Sequence, residues 1–242
     1  LLRQCRDSAG PISLTTVHRA HPTTDTMDQR PSCSLCHKRR PERFCPAAGE
    51  KICAICCGTE RERTLDCPVD CAYLIKAHRY EQEHRQPPVA ADVPFGDTDI
   101  SRNTIYEQEA LLSGLAQAML KFAAEQRSLG DLDALASVSA LGETYRTLVS
   151  GIYYEKPPDA PLPALLYAAL AAFIDEHKKK TAGAGFAVPK DSAIFAVLVY
   201  FARVCRSSTN GRPRSRQFLE LLRAGSPQAQ EQPAATSRII TP

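Results

Sequence analysis

The sequence predicts a mainly α protein, in which a small cysteine-rich module precedes an all-helical bundle of four to five helices. Three observations carry that prediction. Eight of the ten cysteines fall between Cys33 and Cys71. After residue 99, apolar residues recur at alternating three- and four-residue steps, the period of a helix with one face on a core. Between the two regions lies "QPPVAADVPFGD", a Pro-containing stretch without a core pattern that reads as a semi-rigid linker.

The expected organisation is a leader over residues 1–28, the cysteine-rich module over 29–86, the linker over 87–98, the bundle over 99–225 and a polar, disordered tail over 226–242. The chain begins with Leu1, and its first Met is Met27. Its opening string "LLRQCRDSAGPISL" carries charges and no apolar centre, so it does not read as a secretory signal. A disordered leader or an over-extended start is the expectation there. With 242 residues and 43% hydrophobic composition, the chain can bury one good core and still carry a small module. Trp is absent and aromatics make up 7%, which leaves few side chains to stack on bases or sugars. The longest apolar run, residues 193–202, falls far short of the roughly 20 residues a membrane helix needs. A cytoplasmic protein is expected.

Clustered thiols in a reducing compartment bind metal more often than they form disulfides. Here the spacing is C-x2-C, x8, C, x7, C-x2-C-C, x9, C-x3-C. The two C-x2-C pairs suit zinc knuckles, whose thiolates reach one ion at about 2.3 Å in tetrahedral geometry. Cys33, Cys36, Cys45, Cys53, Cys56, Cys57, Cys67 and Cys71 are enough for two closed four-thiolate sites, and so for two structural Zn²⁺. "PSCSLCHKRR" and "ICAICCGTE" read as the knuckles, the second closed by Gly58 in a positive-φ turn. "RFCPAAGEKIC" reads as a short hairpin flanked by Phe44 and Ile52. "DCPVDCAYLIKAHRYEQEHR" reads as a helix start, with Pro68 at the first helical position, Asp70 in the first turn, and Cys67 and Cys71 facing one ion. The positive end of that helix would favour thiolate over thiol.

Adjacent side chains point apart, so Cys56 and Cys57 are assigned to different ions. The expected partition is Cys33, Cys36, Cys53 and Cys56 on one, with Cys45, Cys57, Cys67 and Cys71 on the other. His37, His78 and His84 are spare donors that read as solvated. Knuckle, hairpin and helix in this order make a binuclear zinc module that resembles the treble-clef and cross-brace class, which includes RING, FYVE, MYND and HIT fingers. The resemblance covers residues 32–85 and implies an architecture, not a partner. The string over residues 53–74 is also similar to one in bacterial proteins that carry no assigned activity.

Three other chemistries use such cysteines. Cys33-Ser-Leu-Cys36-His37 matches the C-x-x-C-H haem attachment motif, but no secretory signal accompanies it. An iron–sulfur or redox protein is the more serious alternative, although the ferredoxin run C-x2-C-x2-C-x3-C-P is absent. A thioredoxin-like pair needs a strand–helix context that neither C-x2-C shows.

"HKRRPER" and "TERERT" suggest contact with nucleic acid, yet residues 30–71 hold eight Lys/Arg against six Asp/Glu. Eight thiolates with two Zn²⁺ bring the loaded module to about −2, so its arginines are expected chiefly to offset thiolate charge. The first helix of the bundle is expected over residues 99–128, with a stripe of Ile105, Leu112, Leu115, Met119 and Phe122. The second, over 132–153, repeats the rhythm with Val138, Leu141, Tyr145, Leu148 and Ile152. The third covers 163–179 and carries Leu166, Ala169 and Phe173. The fourth, over 190–206, is apolar nearly all round, which marks it as the central helix, with Cys205 buried at its end. A short amphipathic piece, "RPRSRQFLELLRAG", is expected on the outside.

No catalytic motif is present, and four-thiolate sites leave no open metal position, so the chain is not read as an enzyme. Glu143, Tyr145, Arg146, Tyr153 and Tyr154 read as surface and helix-end packing. The expected role is an interaction or scaffold protein with a protein partner and no membrane contact. The alternative is a nucleic-acid-binding regulator using residues 38–43 and the acid-free segment of Arg203, Arg206, Arg212, Arg214 and Arg216, which otherwise reads as a solvated connector.

Overall fold

The computed structural model describes residues 31–86 and 89–226. The expectations for residues 1–28 and for a tail beyond Ser226 lie outside the described residues. The chain is mainly helical, with a small hairpin near the cysteines followed by a helical bundle.

The module opens with the first knuckle and the hairpin β1 (Arg43–Cys45) and β2 (Glu50–Ile52). The strands are antiparallel, with Phe44 opposite Lys51 and Cys45 opposite Glu50. Gly49 turns the hairpin at φ 68°, a left-handed backbone that favours glycine. Two helices follow, α1 (Ala54–Glu60) and α2 (Ala72–Glu83). So small a segment buries little carbon: Ile52, Leu65 and Leu74 pack among the cysteines. A 3₁₀ turn at Ala90–Asp92 lies in the linker.

The bundle comprises α3 (Arg102–Glu107), α4 (Glu109–Glu125), α5 (Asp131–Val149), α6 (Pro161–Gly183), α7 (Asp191–Ser208) and α8 (Gln217–Ala224). Helix α7 is central, packing on α5, α3, α4 and α8, while α6 covers α4 and α5. Its apolar circumference explains the position, since Ile194, Val197, Leu198, Val199, Phe201 and Ala202 are all buried. Leu111, Leu115 and Met119 of α4 meet Leu166, Leu170 and Ile174 of α6 in the same core. Gly114 allows α4 close to α6, because a Cβ there would run into the Phe173 ring. Cys205 is buried, and desolvation pushes its thiol well above the usual range.

Three expectations change. The second bundle helix ends at Val149, so Ile152 lies beyond it and is exposed. The first bundle helix is two helices broken at Gln108 (φ −103°, ψ 26°), which ends α3 and begins α4. Helix α3 buries no residue fully and lies on α7, whereas α4 follows its Leu111–Leu115–Met119 stripe, so the break lets each take its own direction. Helix α8 is not an outer piece. Phe218 and Leu219 are buried in the core, with Phe218 edge-on to Phe201 at 6.4 Å between ring centroids. Its N-terminus is seated by Asp131, a carboxylate with no exposed surface at the start of α5. That carboxylate accepts hydrogen bonds from Ser215 Oγ (2.8 Å), Phe218 N (3.2 Å) and Leu219 N (3.4 Å). A negative group at a helix N-terminus satisfies otherwise unpaired amides and complements the helix dipole.

Candidate metal centre

The first thiol cluster forms where the opening knuckle meets the N-terminus of α1. His37 N donates to Cys33 O at 2.8 Å and Cys33 N donates to Arg39 O at 2.8 Å, closing the knuckle through His37 in the left-handed region (φ 52°). Cys53 is the N-cap of α1, and its sulfur accepts from Cys56 N at 3.4 Å. Its own amide donates to Cys33 Sγ at 3.2 Å, which joins the two halves of the cluster. The sulfurs of Cys33, Cys36, Cys53 and Cys56 all lie within 4.8 Å of one another. A tetrahedron with arms of about 2.3 Å has edges of about 3.8 Å, so these four thiols need only a slight contraction to hold one ion.

The electrostatics of this cluster ask for a cation. Desolvation raises the Cys33 pKa, but backbone N–H groups of Cys36, Cys53 and Leu35 outweigh it and bring the thiol down to about 6. Cys56 is pushed up to about 12, first by its hydrogen bond with Cys53. Four neighbouring thiols cannot all ionise without a positive charge between them. The Arg39 guanidinium supplies part of it from outside, hydrogen-bonded to Cys53 and facing Cys36, and its own pKa is raised in return. Arg43 instead lies over the Tyr73 ring, 4.5 Å from the centroid. The arginines of "HKRRPER" are thus engaged by the module itself at these two positions.

The other four cysteines line one cavity but come less close together: among the described residues, Cys33, Cys36, Cys53 and Cys56 alone form a group with all ligand atoms within 4.8 Å. Cys45 at the end of β1, Cys57 on α1, Cys67 on the loop and Cys71 at the N-cap of α2 line one cavity of about 10 Å³, walled by Ile52, Leu65, Tyr73 and Leu74. Desolvation raises the Cys67 pKa, and negative charge at Cys45, Cys71 and Glu62 adds to it, against a lowering hydrogen bond from the Glu62 amide. Helix α1 lies between the cluster and this cavity: Cys56 belongs to the cluster and its neighbour Cys57 lines the cavity.

Local details differ from the sequence reading. "ICAICCGTE" is the first turn and body of α1, not a glycine-closed knuckle, and Gly58 lies inside that helix. Pro68 and Asp70 form a turn before α2, with Cys71 N donating to Pro68 O at 3.0 Å, and the helix starts at Ala72 because Cys71 takes the cap position. His37 is exposed, and His84 stacks on Tyr80 with 4.0 Å between ring centroids. His78 is partly buried, its Nε2 3.0 Å from Glu62 Oε1.

That contact leads to the feature with no sequence signal. Glu62 is 2% exposed and sits at φ 54°, a backbone region costly for a non-glycine residue. Its carboxylate bonds His78 of α2 and accepts from Asn210 Nδ2 of the α7–α8 connection at 2.9 Å. Glu81 accepts from Arg61 Nη2 (2.9 Å), Asn210 Nδ2 (3.1 Å) and Gln217 Nε2 (3.3 Å). Arg212 Nη1 donates to the carbonyls of Gly58 (3.1 Å) and Arg61 (2.6 Å), and Arg214 N donates to Glu62 O (2.9 Å). The segment expected as a solvated connector therefore bridges module and bundle.

The remaining arginines of that segment also have acceptors within the chain. Arg203 donates to the carbonyls of Pro94 (3.1 Å), Phe95 (2.6 Å) and Thr98 (2.6 Å), which ties α7 to the linker. Arg206 pairs with Asp92 at 3.5 Å and Arg216 with Asp66 at 2.9 Å. The Arg214 side chain is exposed and lines a cleft with Arg79 and Glu220. Of the polar-aromatic group on α5, Tyr145 is buried, Glu143 pairs with Arg146 at 2.7 Å, and Tyr153 and Tyr154 are exposed after the helix end. No family model, curated protein or solved structure matches the chain.

Proposed function

We propose that the protein is a non-catalytic zinc-binding scaffold, in which two structural Zn²⁺ ions hold a small module that offers a surface to a protein partner. The observation that carries the reading is the tetrad Cys33, Cys36, Cys53 and Cys56, with all sulfurs within 4.8 Å. The second ion would be held by Cys45, Cys57, Cys67 and Cys71, the four that line the other cavity. Soft thiolates in tetrahedral sets select zinc or iron–sulfur centres over harder cations. A four-thiolate zinc has no free position for water, so its chemistry is that of an anchor between chain segments.

The residues around the clusters serve that anchoring. Cys53 and Cys71 begin two helices, Cys45 ends a strand, and Arg39 offsets thiolate charge. Leu35, Phe44 and Ile55 are 40%, 59% and 54% exposed, which favours a partner surface with apolar character. A protein partner is preferred over nucleic acid because Arg203, Arg206, Arg212 and Arg216 already bond groups within the chain. No helix among the described residues is long and apolar enough to cross a membrane. The reducing cytoplasm is the compartment in which eight free thiolates would meet zinc. Elemental analysis of the purified protein tests the proposal: two zinc atoms per chain support it, and stoichiometric iron with visible colour removes it in favour of a cluster.

A further inference from the structure

We infer that metal in the second thiol cavity governs the seating of α8 on the bundle, so that loading of the module is transmitted to the core through the Glu62 bridge. The inference rests on the reading that Cys45, Cys57, Cys67 and Cys71 hold an ion.

Residues 58–66 run between two of the cysteines that line this cavity, Cys57 and Cys67. That short segment supplies most of what the α7–α8 connection grips in the module. Its carbonyls at Gly58 and Arg61 accept from Arg212, and its carbonyl at Glu62 accepts from Arg214 N. Glu62 needs its neighbours, because a non-glycine residue at φ 54° is held there only by the contacts around it. One of those contacts leads back to the cavity, since its carboxylate bonds His78 on α2, the helix capped by Cys71.

The far side of the bridge leads as directly into the core. Ser215, next to Arg214, accepts from Asp131 N at 2.8 Å and donates from Oγ to the Asp131 carboxylate at 2.8 Å. Asp131 in turn holds the amides of Phe218 and Leu219, whose side chains are buried against α7 and its neighbours. Hydrogen bonds between chain neighbours thus join the 58–66 loop, which Cys57 and Cys67 flank, to the first turn of α8. The element with two arrangements is α8, seated or released. An ion that fixes the 58–66 loop favours the seated form, and by linkage a seated α8 favours the ion by the same factor. The first cluster meets this route only through Cys53 and Cys56 on α1, and Cys36 lies farther off, in the knuckle ahead of the hairpin.

Hydrogen exchange followed by mass spectrometry on the full chain tests this, with native mass spectrometry counting zinc in each sample. Cys71→Ser removes one ligand of the second set and Cys36→Ser one of the first. The expected result is two zinc atoms in the wild type and one in each variant. Exchange at Phe218 and Leu219 should be about tenfold faster in Cys71→Ser and should change clearly less in Cys36→Ser. An Asn210→Ala/Arg212→Ala double variant, which keeps every cysteine, should bind its weaker zinc several-fold less tightly in chelator competition. That measurement decides the matter if either cysteine variant loses both ions. Two zinc atoms in the wild type with equal α8 exchange in both single-zinc variants, or an unchanged zinc affinity in the double variant, would overturn the coupling alone. A wild type that binds one zinc or none would overturn the two-ion reading, and the coupling with it.

Discussion

Asn210 and Glu62, 148 residues apart in sequence, meet at 2.9 Å, where the amide of one donates to the nearly inaccessible carboxylate of the other. Their pairing makes the cysteine module and the bundle parts of one structure. Glu62→Ala would leave His78 without its partner, and Asn210 with Glu81 alone, in a partly buried place. The expected loss is roughly 1–3 kcal/mol in urea unfolding of the zinc-loaded protein, the cost of stranding buried polar partners. A variant as stable as the wild type would show that the bridge adds nothing to stability.

A Cβ at Gly114 of α4 would lie 2.3 Å from the Phe173 ring of α6. Gly114→Ala should destabilise by about 1–3 kcal/mol through overpacking, despite the better helix propensity of Ala. Adding Phe173→Leu should recover part of that loss by making room. Thermal unfolding of the two variants checks the pair, and a Gly114→Ala protein with an unchanged or higher Tm would contradict the packing.

The helical half was legible in the sequence because one kind of residue carried the information. Leu115 and Met119 lie on the stripe that the spacing marks and are buried, whereas one turn earlier the fully buried residue is Leu111 and the expected Leu112 is half-buried. The grouping of Cys33, Cys36, Cys53 and Cys56 was legible for a similar reason, since they form the two C-x2-C pairs. Helix starts were read less well. Pro68 looked like a first helical position, yet Cys71 took the cap, because thiol placement outranked local propensity. The bridge had no local signal at all. Asn210 and Arg212 are ordinary turn residues, and only the folded chain brings them to Glu62 and Arg61. Helix α8 was misplaced for the same reason: its cap is Asp131, on another helix.

Desolvation raises the Asp131 pKa above the usual carboxyl value, against hydrogen bonds from Ser215, Phe218 and Leu219 that lower it. The folded chain therefore takes up this proton at a higher pH than the unfolded chain does. The contribution of the group to stability is greatest below the unfolded pKa and falls as pH rises through the folded one. Asp131→Asn keeps an acceptor for α8 and has no such dependence. The Tm of the variant minus that of the wild type should rise with pH from about 4 towards 7. A difference that stays flat or falls would contradict the buried, protonation-linked cap.

Chelation should unfold the module while leaving α4–α7 helical. The module buries few apolar side chains, so its folding free energy comes largely from metal, on the order of 10 kcal/mol per site. The bundle core contains none of the eight clustered cysteines. Far-UV circular dichroism before and after a strong chelator should retain most of its helical signal. Loss of most of that signal would mean that the bundle does not stand without the module.

The most direct measurement is the metal content of the purified chain, taken together with that of Cys33→Ser. Two zinc atoms per chain, a colourless solution and a drop to one zinc in the variant are the predicted result for closed four-thiolate sites. Stoichiometric iron with a brown colour, or a wild-type chain that carries no metal, would contradict it.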